Sequence, residues 1–335
     1  MSHRFSIEDL TELAARALEA SKVSAENARI VAEALVAAEA DGLPSHGVSR
    51  IPFYAEQAKS GKVDGHAVPS VDLPVRAAVV VDAANGFAFP AIRAAVGRAL
   101  QVTPGVGTCA VVVKRSHHAG ALSHPVERAA QAGLLALAFS NTPSGIAPWG
   151  GYRGSLGTNP IAFACPRAAS PPLVVDLSLS KAARGKIMLA SKDGKPIPPG
   201  WALDKDGNPT TDAEAALKGT MLPIGDAKGA ALALMVEILA AGLARANFAF
   251  QASSFFDADG PPPGIGQSFI LIDPTPFGGE GFAHHVDQLL AEIVSQDGTR
   301  LPGDRRHASR ERARTTGVEI PEGLADDLRR RADSI

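Results

Sequence analysis

Six short apolar runs, each bounded by turn-forming residues, fill the middle of this chain and limit its fold more than any other feature. They read AAVVVDAANG (77–86), GTCAVVVKRS (107–116), GLLALAFSNTPSG (133–145), NPIAFACP (159–166), PLVVDLSLS (172–180) and QSFILIDP (267–274). Runs of this length, rich in β-branched and aromatic residues and closed by glycine, proline, asparagine or serine, form strands. Six is a minimum. Stretches of helical period lie between them at 88–102, near 119–132 and at 229–244, so the centre reads as a mixed α/β sheet.

Helical ends flank that sheet. Ser6, three residues before Asp9 and followed by Leu10, Leu13, Ala14, Ala17 and Leu18, begins a capped helix. Ser24 starts a second helix that ends near Asp41 and Gly42. The charged tail from Arg305 to Ile335 is helical by composition, and the two ends are expected to pack together. The apolar run Gly229–Ala244 is interrupted by Glu237 and is shorter than the about 20 residues a bilayer needs, so it reads as a buried helix.

Charge points to small-molecule chemistry. The net charge of the 335 residues is −2, with acids and bases interspersed, so neither nucleic acid nor a membrane is an expected partner. Cys109 and Cys165 lie in apolar stretches without CxxC spacing and read as buried free thiols of a reducing compartment. No signal peptide is visible, and a cytoplasmic location is expected.

There is no GxGxxG after a strand, no GxxxxGK[ST], no GxSxG and no HExxH. Three polar groups of residues stand out instead. Ser45, His46 and Arg50 follow the second helix; an imidazole trades protons near neutral pH, and a guanidinium forks onto a carboxylate. If this stretch is helical, His46 and Arg50 share a face, although Pro52 disturbs the geometry. The plain alternative is a helix cap with a solvated arginine. His117 and His118 follow the strand ending at Lys114; adjacent histidines suggest a metal, but no second ligand pair has zinc-like spacing, and no metal is expected. The third group is SNTPSGIAPWGGYRGSLGTNPIAF with VVDLSLSKAARGKI, whose backbone suits ribose, phosphate or amide groups. Singly, each of these two stretches reads as an ordinary surface turn.

Jointly they do more. SHGVSR, SHHAGAL, GTNPIAFACP, VVDLSLSKAARGKI, LPIGDAKGAALALMVEILAAGL and LPGDRR, in this order over nearly the whole chain, resemble the malate/L-lactate dehydrogenase family of NAD(P)-dependent oxidoreductases. That family is unrelated to Rossmann-fold lactate dehydrogenases. It also includes sulfolactate and ureidoglycolate dehydrogenases and reductases of cyclic imino acids. The resemblance implies an α/β fold with a mostly antiparallel seven-stranded sheet, helical N- and C-terminal segments packed together, and a homodimer. It implies three segments: 1–75 with the Ser-His-Gly motif, a 76–275 NAD(P)-binding domain, and 276–335 packing on the N-terminus.

Carried onto this sequence, the resemblance makes His46 the proton donor or acceptor, oriented by Ser45, and Arg50 the clamp on the substrate carboxylate, with Thr158 near the substrate. His118, Ala119, Gly120, Ala121 and Leu122 become a cofactor loop. Asp176, Leu177, Ser178, Arg184, Gly185, Lys228, Gly303, Asp304, Arg305 and Arg306 become further cofactor contacts. His118 is a rival for the catalytic base. The cyclic-imine reductases of the family carry His-Gly-Asp where this chain has Arg184, Gly185 and Lys186. A lysine cannot take part in that carboxylate relay, so Lys186 is assigned to substrate and an acyclic 2-hydroxy or 2-oxo acid of malate, lactate or sulfolactate type is expected. The alternatives are a cyclic-imine reductase, a metal-dependent hydrolase using His46, His117 and His118, and a non-catalytic binding protein.

Overall fold

The computed structural model describes residues 2–334. Both helix caps form where the serines stand. The Ser6 hydroxyl accepts from Asp9 N at 3.0 Å to begin α1 (Ile7–Glu19), and Ser24 accepts from Asn27 N to begin α2 (Ala25–Ala40). Beyond α2 the chain does not continue as one helix. Two 3₁₀ turns, Pro44–His46 and Val48–Arg50, meet at Gly47 before α3 (Ile51–Ser60), where Pro52 sits in the first turn and needs no donor. Gly47 leaves room for the Glu39 carboxylate, which accepts from Val48 N at 2.9 Å; a Cβ there would lie 2.0 Å from that oxygen.

The main sheet has seven strands: β2 (Ser70–Val75), β3 (Ala78–Asp82), β4 (Thr108–Ser116), β5 (Leu135–Ser140), β6 (Ile161–Cys165), β7 (Leu173–Leu177) and β11 (Ile265–Ile272). Their order is β2-β3-β4-β11-β5-β6-β7, and only β3 and β4 run parallel. That pair requires a crossover, supplied by α4 (Ala88–Val106). Ala91, Ala95 and Ala99 of α4, with Val126 and Ala129 of α5 (Ser123–Gln131), share a core with Val111, Val113, Phe269 and Leu271. On the other face, Phe139, Ile146 and Leu156 meet Ala233, Val236 and Ala240 of α8 (Ala227–Glu237) and its continuation. The sheet opens at Ser70, before residue 76 where the expected central segment begins.

A small three-stranded sheet was not foreseen. β8 (Ala202–Leu203), β9 (Pro209–Thr210) and β10 (Thr220–Met221) pack with α6 (Arg184–Lys192) and α7 (Ala213–Lys218) around Ile187, Ile197 and Met221. Two-residue strands carry too little pattern to be read from a sequence.

The chain ends do pack together. β1 (Ser2–Phe5) pairs antiparallel with β12 (Val318–Pro321), and Leu10, Leu18 and Leu35 share a core with Ile320, Ala325 and Leu328. After β11 come α9 (Thr275–Gly278), α10 (Phe282–Val294), α11 (Asp304–Thr316) and, beyond β12, α12 (Glu322–Ala332). The expected burial of the 229–244 run needs correction. Ala233 and Ala240 face the sheet, but Leu232, Met235, Ile238 and Leu243 lie exposed, because the sheet covers one side of a segment that is apolar all round. Glu237, read as an interruption, is buried and accepts from Asn141 Nδ2, Asn159 Nδ2 and Ala249 N at 3.0, 2.8 and 2.7 Å.

Candidate active site

The 3₁₀ turn after α2 presents His46 to a cleft of about 870 Å³. Volumes of about 300–1,000 Å³ are usual for small-molecule sites. Ser45 Oγ lies 3.1 Å from His46 Nδ1, leaving Nε2 as the free ring nitrogen. Desolvation, with the positive charges of Arg50 and His124, lowers the His46 pKa to about 4. The near-neutral acid expected from the sequence is therefore a neutral imidazole at pH 7 in the ligand-free protein.

Across from His46, at the end of β4, His118 stacks on it with ring centroids 5.5 Å apart. Its Nδ1 lies 2.6 Å from the hydroxyl of Tyr54, a fully buried residue of α3. Burial pushes the Tyr54 pKa up, so the phenol keeps its proton and donates it to Nδ1. The neutral ring then carries its own proton on Nε2. Desolvation and the neighbouring Arg50, His46 and His117 hold His118 well below the usual histidine range.

His117 faces the other way. Its Nε2 is 2.9 Å from Gln57 Oε1, and it sits edge-on to Tyr54 and Phe87 inside the protein. Among the described residues no three His, Cys, Asp or Glu side chains are grouped to hold a metal.

Arg50 is anchored by Nε, which donates to Ser45 O at 2.7 Å, and its guanidinium lies over the Phe256 ring at 4.9 Å. The remaining fork includes Nη1, which is buried and has no hydrogen-bond partner. An arginine donor kept unpaired beside two histidines is costly unless an anion completes it.

The rest of the cleft suits a large, anionic ligand. Ala119, Gly120 and Ala121 line it; Gly120 adopts φ +67°, and a Cβ there would strike the Phe89 ring at 2.6 Å. Thr158, Asp176, Leu177, Ser178, Gly303 and Arg305 also line it. Thr158 N donates to Thr142 Oγ1 at 2.9 Å, and Asp176 Oδ2 accepts from Ser123 N at 2.7 Å. Desolvation raises the Asp176 pKa. Arg306 is buried at the cleft wall near Asp41 and Glu127, yet its Nε and Nη2 make no hydrogen bond. These cationic donors, the glycine-lined loop and the cleft volume fit a dinucleotide.

The wall itself is pinned by Arg310 of α11, which donates to both oxygens of Asp41 at 2.7 and 2.8 Å and to both of Glu127 at 2.9 Å. Burial would raise the Asp41 pKa, but the hydrogen bonds of Arg310 and His124 outweigh it and lower it to about 2.

Not every expected residue lines this cleft: Ser45 and Arg50 lie in the turns around His46 but outside its lining. Leu122 turns its side chain into the core, and Asp304 Oδ2 instead accepts from Leu301 N at 2.9 Å. Arg184 donates to Leu217 O, while Gly185, Lys186 and Lys228 are exposed on α6 and α8, outside the residues that line the cleft. Conversely, Tyr54, Gln57, Phe255 and Phe256 surround the histidines and Arg50 without having been singled out. Tyr54 and Gln57 share the face of α3 that reads in sequence as ordinary core spacing.

Known proteins repeat this arrangement of chain. Over 329 residues the sequence is 52% identical to a (2R)-3-sulfolactate dehydrogenase (NADP(+)) of Chromohalobacter salexigens, covering 98% of each. It is 38% identical to a Delta(1)-pyrroline-2-carboxylate reductase of Ancylobacter novellus, covering 97% of this chain and 96% of that one. The crystal structure of delta1-piperideine-2-carboxylate reductase from Pseudomonas syringae superposes with a TM-score of 0.93 at 39% identity, over 98% of this chain and 99% of the other. Residues 5–329 match the family described as malate/L-lactate dehydrogenase, and the chain belongs to that family.

Proposed function

We propose that this protein is an NAD(P)-dependent oxidoreductase that interconverts a small acyclic 2-oxo acid and its 2-hydroxy acid, of malate, lactate or sulfolactate type. The observation that carries the reading is that His46 and His118 stack on each other in the wall of a dinucleotide-sized cleft, with the buried, unpaired Nη1 of Arg50 close enough to act on both rings. When bound, the nicotinamide supplies or accepts the hydride. Arg50 holds the substrate carboxylate and so fixes the face of the adjacent carbon. His46 Nε2 gives a proton to the carbonyl oxygen in reduction and removes it in oxidation, with Ser45 steadying Nδ1. His118, its tautomer set by Tyr54, donates from Nε2 toward the same oxygen and stabilises charge developing there. Asp176, Gly120, Gly303 and Arg306 hold the cofactor along the cleft.

Two observations favour an acyclic oxo acid over a cyclic imine. A cyclic imine accepts hydride as an iminium cation, and the charges that depress the His46 pKa, Arg50 and His124, oppose a cation at that place. The sulfolactate dehydrogenase is also the more similar relative, 52% against 38% identity for the pyrroline-2-carboxylate reductase. The test compares kcat/KM for oxaloacetate, sulfopyruvate and pyruvate with that for piperideine-2-carboxylate, in wild type and Lys186→Ala. A preference for the cyclic imine by about tenfold or more, 1.4 kcal/mol in transition-state binding, contradicts the assignment. The dianion preference is expected to survive Lys186→Ala, because Lys186 is exposed on α6 outside the residues that line the cleft.

We also infer a cytoplasmic homodimer. The exposed Leu232, Met235, Ile238 and Leu243 offer an apolar face for a second copy, and the free, buried Cys109 and Cys165 suit a reducing compartment. No helix among the described residues is long and apolar enough to cross a membrane. The three segments, expected as 1–75, 76–275 and 276–335, are kept in this reading with the first boundary moved ahead of Ser70, because β2 belongs to the main sheet.

A further inference from the structure

Lys62 is only 2% exposed, an unusual position for an ammonium group. It follows Gly61, whose φ of +82° ends α3 and turns the chain back toward the loop at 254–259. There its Nζ donates to Ser254 O at 2.8 Å, Asp257 O at 2.8 Å and Asp259 O at 2.9 Å. An ammonium has three donors, and each is matched to a main-chain carbonyl. Two neighbours on α3 complete the grip. Gln57 Nε2 donates to Phe255 O and Asp257 O at 2.9 and 3.1 Å, and Ser60 Oγ donates to Ala258 O at 2.8 Å.

The other side of this loop faces the active site. Phe255 packs against His118 with centroids 5.1 Å apart, and Phe256 lies under Arg50 while meeting Phe53 edge-on at 5.6 Å. The face of a ring attracts a guanidinium and fixes its plane, so the position of Phe256 sets the direction of the unpaired Nη1. A buried apolar side chain would fill the Lys62 position without the desolvation cost of a charge. What an apolar chain lacks is the ability to hold three carbonyls in one arrangement.

We propose that Lys62 is a positioning residue for the acid substrate: by saturating three carbonyls of the 254–259 loop it seats Phe256 beneath Arg50 and Phe255 against His118. The inference rests on the carboxylate-clamp role given to Arg50 above. Without the ammonium the loop loosens, the guanidinium swings, and the acid binds less well. The cofactor end, built from Gly120, Asp176, Gly303 and Arg306, is unaffected.

The test is Lys62→Met in the full-length protein. KM and kcat are measured for the best 2-oxo acid, and Kd for the reduced nicotinamide is measured by its fluorescence. The expected result is a KM raised about tenfold, kcat within about threefold and an unchanged cofactor Kd, the pattern of lost substrate binding alone. An unchanged KM overturns the proposal, and so does a cofactor Kd that weakens as much as KM, the mark of general loosening. If Lys62→Met does not fold, Ser60→Ala removes one contact to the same loop; a smaller rise in substrate KM at constant cofactor Kd is then expected, and an unchanged KM overturns the proposal. Arg50→Lys run in parallel separates the two readings. A normal KM in Arg50→Lys defeats the clamp, whereas a raised KM there with a normal one in Lys62→Met defeats only the role of Lys62.

Discussion

The imidazoles of His46 and His118 stack 5.5 Å apart, yet each is held at Nδ1 by a different hydroxyl, Ser45 for the first and Tyr54 for the second. Each ring therefore keeps Nε2 clear of its tether, and the different tethers suit different work. Ser45 is exposed and can exchange protons with water, whereas Tyr54 is sealed in the core. The proposed function therefore gives His46 the task of carrying the proton in and out.

Replacing His46 by Gln lowers kcat by at least about 100-fold, the usual weight of a positioned general acid or base. Cofactor affinity stays near that of wild type. Near-normal turnover in this variant moves the proton transfer to His118. A Tyr54→Phe variant, with the His118 tether cut, then shows which ring is in use.

Arg50→Lys lowers kcat/KM by about 10- to 100-fold, because an ammonium reproduces neither the fork nor the stacking on Phe256. Steady-state kinetics with the best acid substrate decide this. An unchanged kcat/KM places the clamp elsewhere.

The pH profiles of the two directions differ in sign. His46, with a pKa of about 4 set by desolvation, Arg50 and His124, is neutral through the working range. Oxidation uses that neutral base, so its kcat/KM is level from about pH 8 to pH 5 and declines only toward pH 4. Reduction uses the protonated form, so its kcat/KM declines about tenfold per pH unit as pH rises over the same interval. A reductive profile that is flat up to pH 7 means a donor with a much higher pKa than His46 has in the free protein.

Stability also responds to the buried rings. His117 has a folded pKa of about 3 against an ordinary 6.5, lowered by desolvation and then by Lys62 and Arg50; His118 is shifted in the same direction. As pH falls through 6.5 the unfolded chain takes up protons that the folded one refuses. The contribution is complete above that pH and declines toward the folded pKa, at up to about 1.4 kcal/mol per ring per pH unit. Asp41, whose pKa is lowered to about 2, acts only in more acid solution. Thermal unfolding should show a Tm that drops between pH 7 and pH 5. A constant Tm there contradicts the buried, neutral state of these histidines.

Much of this fold was legible because strands and capped helices write themselves locally, in alternation and in Ser6 and Ser24. The strand order was not, since β11 inserts between β4 and β5 from more than a hundred residues away, and nothing in QSFILIDP names its neighbours. In the site, His46, Arg50 and His118 were visible as polar residues at the ends of apolar segments. Tyr54 and Gln57 were not, because a tyrosine and a glutamine on an amphipathic helix look the same whether they face His118 and His117 or plain core. Glu237 illustrates the same limit. Its two asparagine partners lie 96 and 78 residues earlier, so the sequence displays only a charge in an apolar run.

The central claim is hydride transfer to C2 of an acid without a metal. Its most direct measurement uses chelator-treated protein, NADPH carrying deuterium at the transferable C4 position, and a panel of 2-oxo acids including oxaloacetate, sulfopyruvate and pyruvate. The account predicts oxidation of the NADPH at an unreduced rate and one deuterium at C2 of the resulting 2-hydroxy acid. Activity that vanishes with the metal, or no NADPH oxidised with any member of the panel, contradicts it.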